Sequence, residues 1–82
     1  MDNKVLIKLI VPEIDQNYDL YLPINKKIGS IVKLLNQAIN DFNQEEIEFK
    51  YLYNGKTGAS YNYNELLANT DIRNGTKLII IR

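Results

Sequence analysis

The chain has 82 residues, of which 45% are hydrophobic and 24% charged; ten Lys and Arg balance ten Asp and Glu, and His and Cys are absent. That length supports one small core burying roughly 60% of the unfolded surface, and the composition is too apolar for a disordered chain. Zero net charge argues against a dedicated nucleic-acid or anionic-membrane binder, and the missing His and Cys exclude disulfides, thiolate chemistry, the commonest metal ligands and the usual general base near neutral pH.

Residues 4–11 form a β-branched run that ends at Pro12. Val5, Ile7, Leu9 and Val11 share its fully apolar face, and Lys4, Leu6, Lys8 and Ile10 share the other, so the first set is expected to face the core. Residues 12–17 read as a polar turn, and residues 18–22 alternate again, with Tyr18, Leu20 and Leu22 opposite Asp19 and Tyr21. Together they predict a hairpin. After Pro23 the period changes. Ile28, Ile31, Val32, Leu35, Ala38, Ile39 and Phe42 fall within about 120° on a helical wheel, a single apolar stripe. Lys27, Lys33, Asn36, Gln37, Asn40 and Asp41 form the polar face; Asn25 or Lys27 marks the start, and Gly29 weakens the first turn.

Glu45-Glu46 sits in a polar connection. Beyond it Ile47, Phe49, Tyr51 and Tyr53 alternate with Glu48, Lys50 and Leu52, which predicts a strand with the aromatic set turned inward. Residues 54–58 are a Gly-containing turn, residues 59–63 a short edge strand, and residues 64–67 a brief helical turn. Asn74-Gly75 is a further turn signal, and residues 77–82 close the chain as a strand. One long helix must bury its stripe on one sheet face, and the strongly apolar first and last strands suit neighbouring central positions. The expected fold is therefore α+β, a mixed sheet of four to five strands packed on one helix, forming a single domain over 1–82.

The run from Leu67 through Asn69, Thr70, Asp71, Ile72, Arg73, Asn74, Gly75, Thr76 and Lys77 to Leu78 resembles ubiquitin's approach to its last strand, and Tyr51-Leu52-Tyr53-Asn54-Gly55-Lys56 resembles its third strand and turn. The whole-chain order and size are more similar to the YukD/EsaB family of bacterial ubiquitin-like proteins. Tyr18-Asp19-Leu20 with Leu22-Pro23 resembles that family's second strand, and Asp71-Ile72-Arg73-Asn74-Gly75 its C-terminal region. The resemblance implies a β-grasp fold and a non-enzymatic accessory of the type VII (WXG100-substrate) secretion machinery of Gram-positive bacteria. Conjugated modifiers and sulfur carriers end in Gly-Gly. This chain ends Ile80-Ile81-Arg82, so conjugation through the C-terminus is not expected of it.

Other chemistry finds little footing. Gly55-Lys56-Thr57 matches the end of a phosphate loop, but Lys50 stands where the first Gly belongs and no helix starts at Lys56. Ser30 and Ser60 have no His to activate them. Glu45, Glu46 and Glu48 lack the converging spacing of a cation loop. Six tyrosines offer stacking surfaces for bases, yet the charge is neutral. No catalytic residue, cofactor or metal is expected.

The outer sheet face is more informative. Leu6, Ile10, Leu52 and Ile79 are placed there as a protein-binding centre, with Ile81 and Tyr21 beside them. Ile79 and Ile81 belong to it if Leu78 and Ile80 point inward, and the reverse parity stays open because every residue from Leu78 to Ile81 is apolar. Lys8 and Lys50 stand in a basic rim that also includes Lys4, Lys56 and Lys77. No apolar run approaches the roughly 20 residues of a membrane span, and residues 1–4 lack the zones of a signal peptide. The expectation is a cytoplasmic docking module, recruited to a membrane-anchored secretion complex, with a protein partner, no nucleic acid and no membrane insertion. Two alternatives stand beside it: a β-grasp carrier or modifier, and an RNA-binding regulatory β-grasp module.

Overall fold

The computed structural model describes residues 3–44 and 46–82; the expected connection at Glu45 lies outside the described residues. Strands β1 (Lys4–Val11) and β2 (Gln16–Pro23) pair antiparallel along their whole lengths, from Lys4 opposite Pro23 to Val11 opposite Gln16. The ladder thus takes in Gln16, Asn17 and Pro23, three residues more than alternation of apolar side chains predicts. A 3-10 turn over Pro12–Ile14 joins the strands, with Pro at the position where a missing N–H costs nothing. Asp15 follows at φ 52°, and its N–H donates to the Pro12 carbonyl. Asp tolerates this left-handed turn better than a β-branched residue does.

Strand β4 (Lys77–Ile81) lies parallel to β1 and antiparallel to β3 (Tyr51–Asn54), giving the order β2-β1-β4-β3. The two most apolar strands therefore occupy the centre, as expected. Helix α1 (Ile28–Asn43) covers one face. Its Ile28, Ile31, Val32, Leu35 and Ile39 are buried in one core with Ile7, Leu9 and Val11 of β1 and Leu78 and Ile80 of β4. Phe42 departs from its expected place in the stripe. At 62% exposure it lies outside the core, its ring 5.5 Å from that of Tyr18. It is the last apolar position of the helix, one residue before the end, where the core beneath has run out.

Lys27 is the residue before the helix, and no side chain caps it. Tertiary contacts do so instead. The Ile28 and Gly29 N–H groups donate to the Glu65 and Tyr63 carbonyls, each at 2.9 Å, which satisfies two donors that a helix start leaves unpaired. A Cβ on Gly29 would sit 3.2 Å from the Tyr63 oxygen. Glycine at 29 thus serves close approach of the loop, a gain that offsets its poor helix propensity.

Two expectations fail between α1 and β3. Residues 46–50 join no strand. At Ile47 and Phe49 the backbone pairs with side chains of the helix, and the Lys50 N–H donates to Ile81 O at 2.9 Å. Phe49 N–H donates to Asn36 Oδ1 at 2.6 Å while Asn36 Nδ2 donates to Phe49 O at 2.7 Å. Asn40 repeats the pattern on Ile47, at 3.1 and 2.8 Å. The expected strand at residues 59–63 is also absent; one bridge, Tyr53 to Ser60, is all that forms. Tyr63 covers that edge with its hydroxyl, which donates to Lys50 O and accepts from Leu52 N–H. The short helical turn falls at Leu67–Asn69, slightly later than 64–67.

Candidate docking surface

The sheet face away from α1 is assembled by register. On β1 it carries Lys4, Leu6, Lys8 and Ile10. Ile10 stands opposite Asn17 on one side and Ile79 on the other, and Ile79 stands opposite Tyr53. Ile10, Ile79 and Tyr53 therefore form one row across three strands, each half-buried. Ile81 opposite Tyr51 extends it, with Tyr51 51% exposed. Toward the other end of β1, Leu6 stands opposite Tyr21, and the two are 38% and 55% exposed. Between these apolar patches runs a polar band, in which Lys8 is flanked by Asp19 and Lys77.

Of the six residues assigned to this surface from sequence, the fold places Leu6, Ile10, Lys8 and Ile79 together on it. Lys50 is exposed but lies at the far edge, beside Tyr51 and Arg82, just before β3. Leu52 does not belong there. It is 1% exposed, opposite Ile80, and sits in the core. The cause is a break in alternation: Phe49 and Leu52 both point inward across Lys50-Tyr51, because residues 46–50 follow the helix asparagines and the β ladder starts only at Tyr51. Given that slip, Leu is buried while Tyr51 and Tyr53 take the wetter face, where a phenol body covers apolar surface and its hydroxyl stays hydrated. Tyr53 is the member that sequence reasoning missed. The amphipathic preference of tyrosine was the available signal.

The turn after β3 is held rigidly. Buried Asn54 accepts from the Lys56 and Thr57 N–H groups at 2.8 and 3.1 Å, and its Nδ2 donates to the Tyr61 hydroxyl and to Asp71. Tyr61 in turn donates to Asp71 at 2.9 Å. Burial chiefly, with the hydrogen bond to Asp71 adding to it, pushes the Tyr61 phenol up to about 12. Burial also raises that of Tyr63. Both hydroxyls are thus fixed as neutral structural groups near neutral pH, and neither is poised for proton transfer. Gly55-Lys56-Thr57 belongs to this turn: Gly55 N–H donates to Lys77 O, and no helix follows. Among the described residues, no group of three or more acidic side chains converges as a metal site. No helix of the described residues is long and apolar enough to cross a membrane.

No protein-family profile and no curated protein matches the sequence. Solved structures do match the fold. The ubiquitin-like domain of the type VII secretion system protein EccD1 of Mycobacterium tuberculosis superposes with a TM-score of 0.73 at 9% identity, over 96% of this chain and 98% of that one. Ubiquitin of Caldiarchaeum subterraneum gives 0.69 at 15%, over 96% and 94%. A chain of the MycP5-free ESX-5 inner membrane complex gives 0.68 at 17%, over 95% of this chain; this chain spans only 20% of that one. With one helix across a four-stranded mixed sheet of order β2-β1-β4-β3, the protein has the ubiquitin-like β-grasp fold.

Proposed function

We propose that residues 1–82 act as one non-enzymatic ubiquitin-like interaction module, an accessory of a bacterial type VII secretion system similar to the YukD/EsaB proteins. In this reading it works in the cytoplasm and is recruited to a membrane-anchored secretion complex. The observation that carries a docking role is the row Ile10–Ile79–Tyr53 with Ile81 and Tyr51, contiguous apolar surface on a rigid sheet with no covering element among the described residues. Likeness of the fold to the EccD1 domain and to a chain of the ESX-5 complex supports the choice of machinery. Apolar area at the centre would supply affinity, and the polar band specificity.

Ile79→Glu tests this reading. Ile79 is half-exposed and has Lys8 and Lys77 close by on the same face, so the variant is expected to keep the wild-type circular dichroism and unfolding midpoint. In cells carrying the secretion genes, wild-type protein is expected to co-purify with a component of the membrane complex and the variant to lose at least tenfold of that recovery. Equal recovery with the folded variant contradicts the assigned face.

A further inference from the structure

Lys8 and Lys77 are direct neighbours in the parallel pairing of β1 with β4, side chains on the same outer face, with strand axes about 4.8 Å apart. Like charges in that relation repel and weaken the pair. Asp19 stands opposite Lys8 on its other side but forms no ion pair with it, and Lys77 has no acidic strand partner; among the described residues the one ion pair is Arg82 with Glu13, elsewhere on the surface. Lys56 adds to the same field, since it lines one surface depression with Lys77, Thr57 and Thr76. Yet the chain is neutral overall, with as many acidic as basic side chains to spend. Among the described strand residues of this face the acidic contribution is Asp19, beside Lys8 and away from Lys77. A local conflict kept in an otherwise consistent sheet points to use of the charges by something outside the chain.

Resting on the docking role proposed above, we propose that the partner presents an acidic segment, its carboxylates over Lys8 and Lys77 and its apolar side chains on Ile10, Ile79 and Tyr53. The two requirements belong together because the lysine band borders the apolar row one step along the same strands, so one short segment spans both. Opposite charge would speed encounter and set orientation, while the apolar row holds the complex.

The probes are two synthetic peptides with the same leucine positions, one carrying glutamates and the other lysines between them, titrated into the labelled full-length protein at low salt and followed by amide resonances. The acidic peptide is expected to shift Lys8, Ile10, Tyr53, Lys77 and Ile79, and to bind at least tenfold more tightly than the basic one. The Lys8→Glu/Lys77→Glu protein should reverse that order. Separately, Lys77→Gln is expected to raise the urea midpoint at low salt, with the gain shrinking as salt is added. Equal binding of both peptides, no binding of the acidic one, shifts confined to α1, or a lowered Lys77→Gln midpoint each overturn the proposal. If the reversed protein still co-purifies with the secretion complex while Ile79→Glu does not, the acidic partner is refuted and the docking face stands. If neither substitution matters, both fall.

Discussion

Leu52→Glu should unfold the protein, whereas Tyr53→Glu, one residue further along, should leave it folded. Leu52 is buried opposite Ile80, in a core that also holds Phe49, Leu67 and Ile72. A carboxylate there would lose its hydration without gaining a partner, a cost that a folded state worth about 4–12 kcal/mol at this length does not withstand. The milder Leu52→Ala should cost about 2–5 kcal/mol through lost burial and the cavity it leaves. Tyr53 projects from the opposite face, so its replacement removes only partial burial. Urea titrations of the three variants check this directly. A folded Leu52→Glu with an unfolded Tyr53→Glu would mean that β3 presents its other face to the helix.

Asn36→Ala should destabilise by about 2 kcal/mol although it replaces a helix residue by the best helix former. The Asn36 amide forms a two-way pair with the Phe49 peptide group and also donates to Val32 O at 2.9 Å. Truncation leaves the N–H and C=O of Phe49 unpaired in a partly buried site, and unmet desolvation exceeds the few tenths of a kcal/mol that propensity returns. Asn36→Asp separates hydrogen bonding from size. Its carboxylate still accepts from Phe49 N–H but cannot donate to Phe49 O, so it should recover only part of the loss. Equilibrium unfolding in urea reads both values. An Asn36→Ala protein as stable as wild type would show that residues 46–50 do not need the helix to hold them.

That asparagine pairing also explains which parts of the fold were legible in the sequence. The hairpin and the helix each carry a continuous period of 2 or 3.6, and their burial follows from local pattern, with Ile7, Leu9 and Val11 inward. The outer-face positions of Leu6, Lys8 and Ile10 were readable for the same reason. From Leu78 to Ile81 every residue is apolar, so the parity of the last strand, Leu78 and Ile80 inward and Ile79 outward, is set by the fold and not by the pattern. In β3 the pattern misled. Ile47 to Tyr53 alternates in sequence, but its first half is held by side chains 7 and 13 residues upstream. Alternation has no record of such a partner, so the phase reverses between Phe49 and Leu52 and the surface gains Tyr53 where Leu52 was expected. Residues 59–63 misled similarly. They are strand-like in composition, yet Tyr63 meets the edge of β3 through its hydroxyl.

Site-specific photo-crosslinking tests the central claim, that the outer sheet face is the docking surface, most directly. A benzophenone side chain placed at Tyr53 in one strain and at Phe42 in another, both in cells expressing the secretion genes, samples the outer sheet face and the exposed end of α1 separately. Crosslinks from position 53 to a component of the secretion complex, with position 42 silent, are the predicted result. Crosslinks to that component from position 42 alone would place the docking surface on the helix and contradict the account.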